Sequence, residues 1–326
     1  MNTVFLRKID NLARFTKKLK KYKSKIFSLN FFLLVLIGIA LFLSGVLANK
    51  LIILQAEKNL QNQQIAKQKN LEITLKKIQD QVIEKNYVFK IKWGDLGKKM
   101  VEDGVIDKVK LSQAVAGKNE LPKDLEKYFS DSQDQIELTQ ANSQFWVDVL
   151  WGLGLANKNR ILEEGDMMRD GDASNFASTG GWTLGQSDSA MNYYSKYSYI
   201  NLSEKQQKTV EEIAGNIYRP CCGNSTAFPD CNHGMAMLGL IELMVSQEKS
   251  RDEIYKTALA FNTYWFPQTY LETAFFLDKN GQDYSKTSPK ELLSQKFSSA
   301  MRDEAISKAV QDVQWEVLRN GGSCGA

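Results

Sequence analysis

The residues of this 326-residue chain that could do chemistry are gathered in one short segment. Three of its four cysteines, Cys221, Cys222 and Cys231, and its only histidine, His233, lie within thirteen residues. Thiolate and imidazole are side chains that bind zinc and copper, and cysteine also forms crosslinks. The segment therefore predicts a site with Cys221, Cys222, Cys231 and His233 as metal ligands, and with Cys324 as a further ligand or a disulfide partner.

The spacing of these residues departs from the common patterns. Zinc sites usually place paired ligands two to four residues apart, whereas Cys221 and Cys222 are adjacent. The redox and haem-attachment patterns built on Cys-x-x-Cys do not occur in the segment. Three hypotheses stay open: a zinc or copper site, disulfides that fasten Cys231 and Cys324 to the adjacent pair, or a reactive thiol that works with His233.

Two methionines beside the histidine raise the possibility of a copper site. Met235 and Met237 follow His233, and thioethers are soft ligands. Residues two apart on a helix point in directions roughly 200° apart, so the two side chains do not face one ion. We therefore predict that both methionines pack in the core.

A membrane span is predicted near the N-terminus. Residues 26–48 contain no charged side chain, and a helix of this length crosses a hydrocarbon layer of about 30 Å. The alternative is a cleavable signal peptide with its cleavage site at residues 46–48. The apolar run is longer than the usual signal core of about 7 to 15 residues, which favours a retained anchor in the bilayer.

The charge distribution predicts the orientation of the span. Residues 1–48 contain nine of the 42 basic residues and one of the 38 acidic residues, Asp10, which leaves 33 basic and 37 acidic residues beyond. The positive-inside rule places the N-terminus in the cytoplasm and the C-terminal domain outside it, in an extracytoplasmic compartment that permits disulfides. The slightly acidic remainder argues against nucleic acid as a partner.

The pattern along the chain predicts a mainly α protein. The helical stalk after the span has no Pro or Gly, and the spacing of Leu71, Leu75, Ile78 and Val82 would allow homodimerisation through residues 51–86. The predicted organisation is a basic cytoplasmic amphipathic segment at 1–25, a transmembrane helix at 26–48, a helical stalk at 49–86, a small helical subdomain at 87–135, and an exported helical core domain at 136–326 that carries the Cys/His loop.

Local signals predict helices on both sides of the Cys/His loop. Ser203, with Gln206 three residues later, predicts the capped beginning of a helix that ends before Pro220. Asp230 or Asn232 is expected to cap the helix that follows the loop. The other predicted elements are a strand-like stretch at 87–93, a buried helix at 136–156, a long glycine-rich loop at 165–185, a helix at 251–277 interrupted at Pro267, and a last helix at 289–318.

Three segments carry a resemblance to known proteins. They are WGDLG at residues 93–97, ASTGGWTLG at 177–185 and RPCCGNSTAFPDCNHGMAMLGL at 219–240. Together they resemble a family of uncharacterised bacterial membrane-anchored proteins, over about residues 87–277. The resemblance implies a bacterial, membrane-anchored protein and carries no function.

These observations predict a membrane-anchored extracytoplasmic protein. Its Cys/His loop is expected to bind zinc or copper or to do thiol chemistry. The alternative is a non-catalytic envelope module, structural or for protein interaction, that disulfides stabilise. The sequence identifies no set of catalytic residues, and enzymatic activity is left open.

Overall fold

A computed structural model describes residues 3–311 and 313–315, and this part of the chain is mainly helical, as predicted. The chain divides into two units, residues 1–73 and residues 74–326. The expectations for Cys324 and for the end of the last helix, at residues 316–318, lie outside the described residues.

The first unit is formed by helix α1 (Thr3–Val82), whose last residues belong to the second unit. From Asp10 onward α1 includes an 18-residue window with a mean hydropathy of 2.8, and no residue of this window is buried. By length and composition, α1 could cross a membrane. The predicted transmembrane and stalk segments form one continuous helix, which ends at Val82 instead of residue 86 because a strand begins at Asn86.

The second unit contains thirteen further helices and two strands among its described residues. They are β1 (Asn86–Phe89), α2 (Leu96–Glu102), α3 (Lys108–Ala116), α4 (Lys123–Ser130), β2 (Ile136–Thr139), α5 (Ser143–Ala156), α6 (Arg160–Glu164), α7 (Ala177–Gly180), α8 (Glu204–Asn216), α9 (Asn232–Ser246), α10 (Arg251–Trp265), α11 (Pro267–Lys279), α12 (Pro289–Leu292), α13 (Gln295–Ser298) and α14 (Ala300–Val310).

Two of the local predictions are confirmed in detail. Ser203 caps α8 and forms the predicted reciprocal capping box with Gln206, and Ser250 caps α10 in the same way with Glu253. Pro267 is the first residue of α11, where its missing N–H costs nothing, so the long aromatic helix is divided at the predicted position.

Two predictions about the helices are wrong. The predicted helix at 136–156 begins only at Ser143, because residues 136–139 form β2, which pairs antiparallel with β1. The predicted last helix is divided into α12, α13 and α14. Ser288 and Ser299 each accept a hydrogen bond from a backbone N–H of the following turn, so these side chains begin new helices instead of extending one.

The end of α1 packs within the second unit. Ile78 and Val82 are buried in an apolar cluster that includes Leu271 and Phe275 of α11 and Ile306 of α14. Leu75 also packs against this cluster, so three of the four residues of the predicted dimer seam are used inside the chain. Homodimerisation through residues 51–86 stays a prediction.

The core of the second unit is built on the contact between α5 and α9. A Cβ atom added at Gly154 of α5 would lie 2.1 Å from the carbonyl oxygen of Met235. One added at Gly239 of α9 would lie 2.6 Å from the carbonyl oxygen of Leu150. The two backbones touch where both helices have glycine, and the contact fixes the position of α9, which begins at the Cys/His loop.

Helix α9 is also fixed at its other end. Glu242 is fully buried, and its carboxyl group accepts hydrogen bonds from the side-chain amides of Asn157, at 3.0 Å, and Asn159. Burial raises the pKa of Glu242 well above its usual value. The two amides supply hydrogen bonds to the buried carboxyl group, and these bonds join α9 to the segment between α5 and α6.

We expect Gly239→Ala to lower the free energy of unfolding by about 3 kcal/mol, because the added methyl group has no room between the two backbones. Thermal unfolding of the full chain in detergent, followed by circular dichroism, measures the change. Gly215→Ala in α8 is the matched control, since nothing lies within 4 Å of its added Cβ. Equal stability of the two variants would contradict the backbone contact.

Candidate metal and thiol site

The segment that follows α8 folds back on itself before it reaches α9. The backbone N–H of Thr226 donates to the carbonyl oxygen of Ile217 at 2.8 Å. Both backbone polar groups of Tyr218 are hydrogen-bonded. Its N–H donates to the carbonyl oxygen of Leu293 at 2.7 Å, and its carbonyl oxygen accepts from the side-chain amide of Asn262 at 3.1 Å. These hydrogen bonds fix the backbone at Ile217 and Tyr218, where the loop begins.

The two adjacent cysteines lie at the tip of this loop. The carbonyl oxygen of Cys222 accepts a hydrogen bond of 3.0 Å from the N–H of Ala300, the first residue of α14. Cys221 is exposed, whereas Cys222 is half-buried. The backbone at Cys222 is thus joined to the beginning of α14.

The third cysteine occupies the capping position of α9. The prediction that Asp230 or Asn232 would cap this helix is wrong, because Cys231 is its N-cap and its sulfur accepts from the N–H of Gly234 at 3.4 Å. Asp230 is used instead by Arg219, and Asn232 is the first helical residue. A sulfur at a helix N-terminus faces unpaired N–H groups, which stabilise its anionic form.

The three sulfur atoms form one compact group. The Sγ atoms of Cys221, Cys222 and Cys231 all lie within 4.8 Å of one another, and those of Cys221 and Cys231 are 3.5 Å apart. A disulfide needs about 2.05 Å, so none of these three cysteines is crosslinked here. Ligands of a tetrahedral zinc ion with Zn–S bonds of about 2.3 Å lie about 3.8 Å apart, which falls within the observed range.

A buried arginine organises the loop around these sulfurs. The side chain of Arg219 is 1% exposed and donates to four acceptors. Its Nε donates to the sulfur of Cys231 at 3.0 Å, its Nη1 to the carbonyl oxygen of Asn224 at 3.1 Å, and its Nη2 to the carbonyl oxygen of Phe228 at 2.9 Å. The same Nη2 forms an ion pair with Asp230. One guanidinium therefore binds both ends of the loop.

A glycine makes room for this guanidinium. A Cβ atom added at Gly234 would lie 2.6 Å from Cζ of Arg219, so any larger residue at position 234 would displace the guanidinium. Asp230 is itself held by the side-chain amide of Asn224, at 2.8 Å. The arginine, its acceptors and the beginning of α9 form one connected group.

The glycine-rich loop covers one side of the site. The backbone N–H of Ser178 donates to the carbonyl oxygen of Asp230 at 3.0 Å, and the rings of Phe176 and Phe228 meet edge to face at 5.4 Å. Residues 165–185 therefore have a positioning role that the sequence did not suggest.

The surroundings of the three cysteines shift their pKa values in opposite directions. Hydrogen bonds from the Cys221 and Cys222 thiols, together with the charge and the hydrogen bond of Arg219, hold the pKa of Cys231 well below its usual range. The hydrogen bond between Cys222 and Cys221 lowers the pKa of Cys222, but its bond to Cys231 and burial outweigh this effect and raise that pKa to about 11. The pKa of Cys221 is raised chiefly by its hydrogen bonds to the other two sulfurs.

The histidine packs beside the sulfur group and is not a member of it. Among the described residues, the group of mutually close ligand atoms consists of the three cysteine sulfurs. The ring of His233 is 7% exposed and lies 4.6 Å from the ring of Phe266 and 5.6 Å from that of Trp265. Burial lowers the pKa of His233 to about 4, so its imidazole is neutral at neutral pH, and its buried Nε2 has no hydrogen-bond partner in the described part of the chain.

The predicted methionine packing is confirmed, because Met235 and Met237 are both buried in the core cluster. The residue that the sequence reasoning missed is Arg219, which was named only as the beginning of the segment. One signal was present: Arg219 and Asp230 are the two charged residues of the segment from 219 to 233, and they lie on either side of the adjacent cysteines.

No family model, curated protein or solved structure matches this chain.

We expect one thiolate among the three described cysteines at neutral pH. Because the pKa of Cys231 is lowered, its thiolate persists as the pH falls below the value of about 8.5 at which a free thiol takes up its proton. The ultraviolet absorbance of thiolate, followed during an acid titration of the metal-free chain, measures it. Cys231→Ser should remove the signal, and Arg219→Met should move its titration to higher pH.

Arg251→Met is the matched control for the arginine variant, since Arg251 pairs with Glu212 on the exposed surface of α8 and α10. It should leave the thiolate titration unchanged. A thiolate signal that survives in Cys231→Ser would show that another cysteine is the anionic one.

Proposed function

We propose that this chain is a membrane-anchored protein that binds one zinc ion through the sulfurs of Cys221, Cys222 and Cys231. The observation that supports the proposal most directly is the mutual distance of the three sulfurs, all within 4.8 Å. Soft sulfur ligands select zinc or copper(I) over magnesium and calcium. The hydrogen bonds of Arg219 fix the loop before any metal arrives, which lowers the entropy cost of forming the site.

The charge of the site favours zinc over copper(I). Three thiolates, a zinc ion, the guanidinium of Arg219 and its partner Asp230 together carry one negative charge, and the guanidinium lies 3.0 Å from the sulfur of Cys231. Copper(I) would leave a second negative charge in a half-buried loop, where unbalanced charge is costly. Asp230 is already paired with Arg219 and Asn224, so its carboxylate is not available as a further metal ligand.

In our proposal His233 supplies the fourth ligand. Its imidazole is neutral, and its buried Nε2 has no hydrogen-bond partner among the described residues. Leaving a buried polar atom unpaired costs about 1 to 3 kcal/mol, which a bond to the metal would offset. The ring of His233 would turn toward the sulfurs while it keeps its contact with Phe266.

The anchor and the orientation complete the proposal. The apolar window of α1 supports insertion in a bilayer, and the basic residues before it support a cytoplasmic N-terminus. The metal site would then lie in an extracytoplasmic compartment. We propose the family resemblance, and the bacterial source that it implies, on the three sequence segments alone.

The full chain, purified in detergent under reducing conditions, is expected to bind one zinc ion. Cys221→Ser, Cys222→Ser and Cys231→Ser should each weaken the affinity by more than tenfold, because each removes a ligand. Elemental analysis gives the metal and its stoichiometry, and competition with a chelating dye gives the affinity. Absorption bands of the cobalt-substituted protein report the number of sulfur ligands.

Three further variants test the ligand set. Met235→Leu should keep the metal, because that side chain packs in the core. His233→Phe should lower the affinity by about tenfold or more if the imidazole is the fourth ligand. Cys324→Ser should keep the metal, and its loss would assign a ligand role to the tail. A reduced chain that binds neither zinc nor copper would contradict the metal proposal.

A second candidate function is a non-catalytic envelope module held by disulfides. The contact between the sulfurs of Cys221 and Cys231, at 3.5 Å, favours it. Counting free thiols by intact mass before and after reduction separates the two candidates. Two disulfides and no metal in the isolated chain would support the module.

The orientation predicts that Cys221, which is exposed, is reached from outside the cytoplasmic membrane. A membrane-impermeant maleimide applied to metal-depleted spheroplasts should label it, and mass spectrometry should locate the label in the segment of residues 219–240. Cys221→Ser should lose this label. Labelling only after the membrane is permeabilised would reverse the proposed orientation.

A further inference from the structure

The contact between two of the three sulfurs makes a second state of the site accessible. The sulfurs of Cys221 and Cys231 are 3.5 Å apart, so an approach of about 1.5 Å would bring them to the length of a disulfide. Nine residues lie between the two cysteines, and the loop they form is already folded back by Arg219. Bond formation would therefore cost little additional loop entropy.

The third sulfur is less suited to either crosslink. Cys221 and Cys222 are neighbours, with Cα atoms about 3.8 Å apart, which is below the range of about 4.4 to 6.8 Å of ordinary disulfides. The carbonyl oxygen of Cys222 is held by Ala300, and its sulfur lies 3.9 Å from a carboxylate oxygen of Asp230. Among the three described cysteines, Cys221 and Cys231 therefore form the pair that is best placed for a disulfide.

The two sulfurs of this pair have different surroundings. The sulfur of Cys231 receives hydrogen bonds from Nε of Arg219 at 3.0 Å and from the N–H of Gly234 at 3.4 Å, and both stabilise negative charge on it. Cys221 lies on the exposed side of the group. This division suits a nucleophile, Cys231, and a second thiol, Cys221, that completes the crosslink.

We propose that the site is a peroxide-responsive metal site, in which oxidation of Cys221 and Cys231 to a disulfide releases the ion. This inference rests on the proposed zinc site. Two of the three sulfur ligands are consumed by the crosslink, and Cys222 with His233 would be too few ligands to retain zinc. Metal binding and the disulfide are then mutually exclusive states of one loop.

The chemistry balances with hydrogen peroxide as the oxidant. The sulfur of Cys231 attacks one peroxide oxygen, the O–O bond breaks, and a sulfenic acid and one water form. The sulfur of Cys221 then attacks the sulfur of Cys231, the S–O bond breaks, and the hydroxyl leaves with the Cys221 proton as a second water. The two sulfurs together lose two electrons, and peroxide gains them. When both begin as metal-bound thiolates, the two protons come from solvent.

The test uses the full chain in detergent, reduced and loaded with one zinc ion. Addition of hydrogen peroxide in the presence of a zinc-indicator dye should release one zinc per chain. The intact mass should fall by two hydrogen atoms over the same time course. A thiol reductant should restore the mass and the binding of zinc.

Two variants identify the crosslinked pair, with a fold control by circular dichroism. Cys222→Ser should still form the peroxide-induced crosslink, and with one of the adjacent cysteines removed, peptide mapping assigns it to Cys221 and Cys231. Cys221→Ser should block the crosslink and leave Cys231 as a sulfenic acid that a cyclic dione traps. A crosslink that maps to Cys324 or persists in Cys221→Ser would overturn the assignment.

The two proposals fail in distinguishable ways. A reduced chain that binds no zinc would contradict the proposed function and, with it, the linkage between oxidation and metal release. A chain that binds one zinc ion and keeps it under peroxide, with no loss of hydrogen mass, would contradict this inference alone.

Discussion

The buried charge of Arg219 is the interaction on which the site depends. A guanidinium that is 1% exposed must replace its lost water with protein acceptors, since an unpaired buried charge costs several kcal/mol. All four of its acceptors come from residues 224–231, which is one loop. A single requirement, the solvation of one cation, therefore fixes the conformation of the segment that carries the cysteines.

This requirement extends into the packing of the whole second unit. The guanidinium lies against Gly234 in the first turn of α9, so the position of α9 determines whether the cation fits. Helix α9 is in turn held against α5 by the contact of Gly154 with Gly239 and at its other end by Glu242. Core packing and site geometry are therefore coupled, and a change in the contact between α5 and α9 would shift the positions of the sulfurs.

The sequence predicted the parts of the fold that depend on local signals. The capping box at Ser203 and the interruption at Pro267 are short-range patterns, and both predictions are confirmed. Strand β2 was not predicted, although Ile136 and Leu138 alternate with polar residues, because the apolar run that follows them indicates a buried helix. The last helix was predicted as one element because its apolar spacing continues across Ser299, whose side chain caps a new helix.

The site was located by composition, but its organisation was not predictable in the same way. The clustering of cysteines pointed to the loop, whereas the cap was predicted at Asp230 or Asn232 because oxygen-bearing side chains are the usual N-caps. The role of Arg219 depends on contacts that span up to twelve residues and on the absence of a side chain at Gly234. Such a role follows from three-dimensional packing and has no periodicity in the sequence.

The position of Arg219 also explains how a helix N-terminus can accommodate a cation. The partial positive charge at the beginning of α9 repels a guanidinium, and the anionic sulfur of Cys231 lies between the two and attracts both. N–H groups donate to this sulfur from two directions, so its negative charge is stabilised and its position is fixed. Its remaining lone pairs point away from these N–H groups. The hydrogen bonds weaken the sulfur as an electron donor but place a positive charge beside the thiolates that a zinc site would contain. With Asp230 counted, such a site would carry one negative charge, and it would carry two without the guanidinium. The arginine thus reduces the unbalanced charge of an occupied site, and a smaller charge costs less in a half-buried loop.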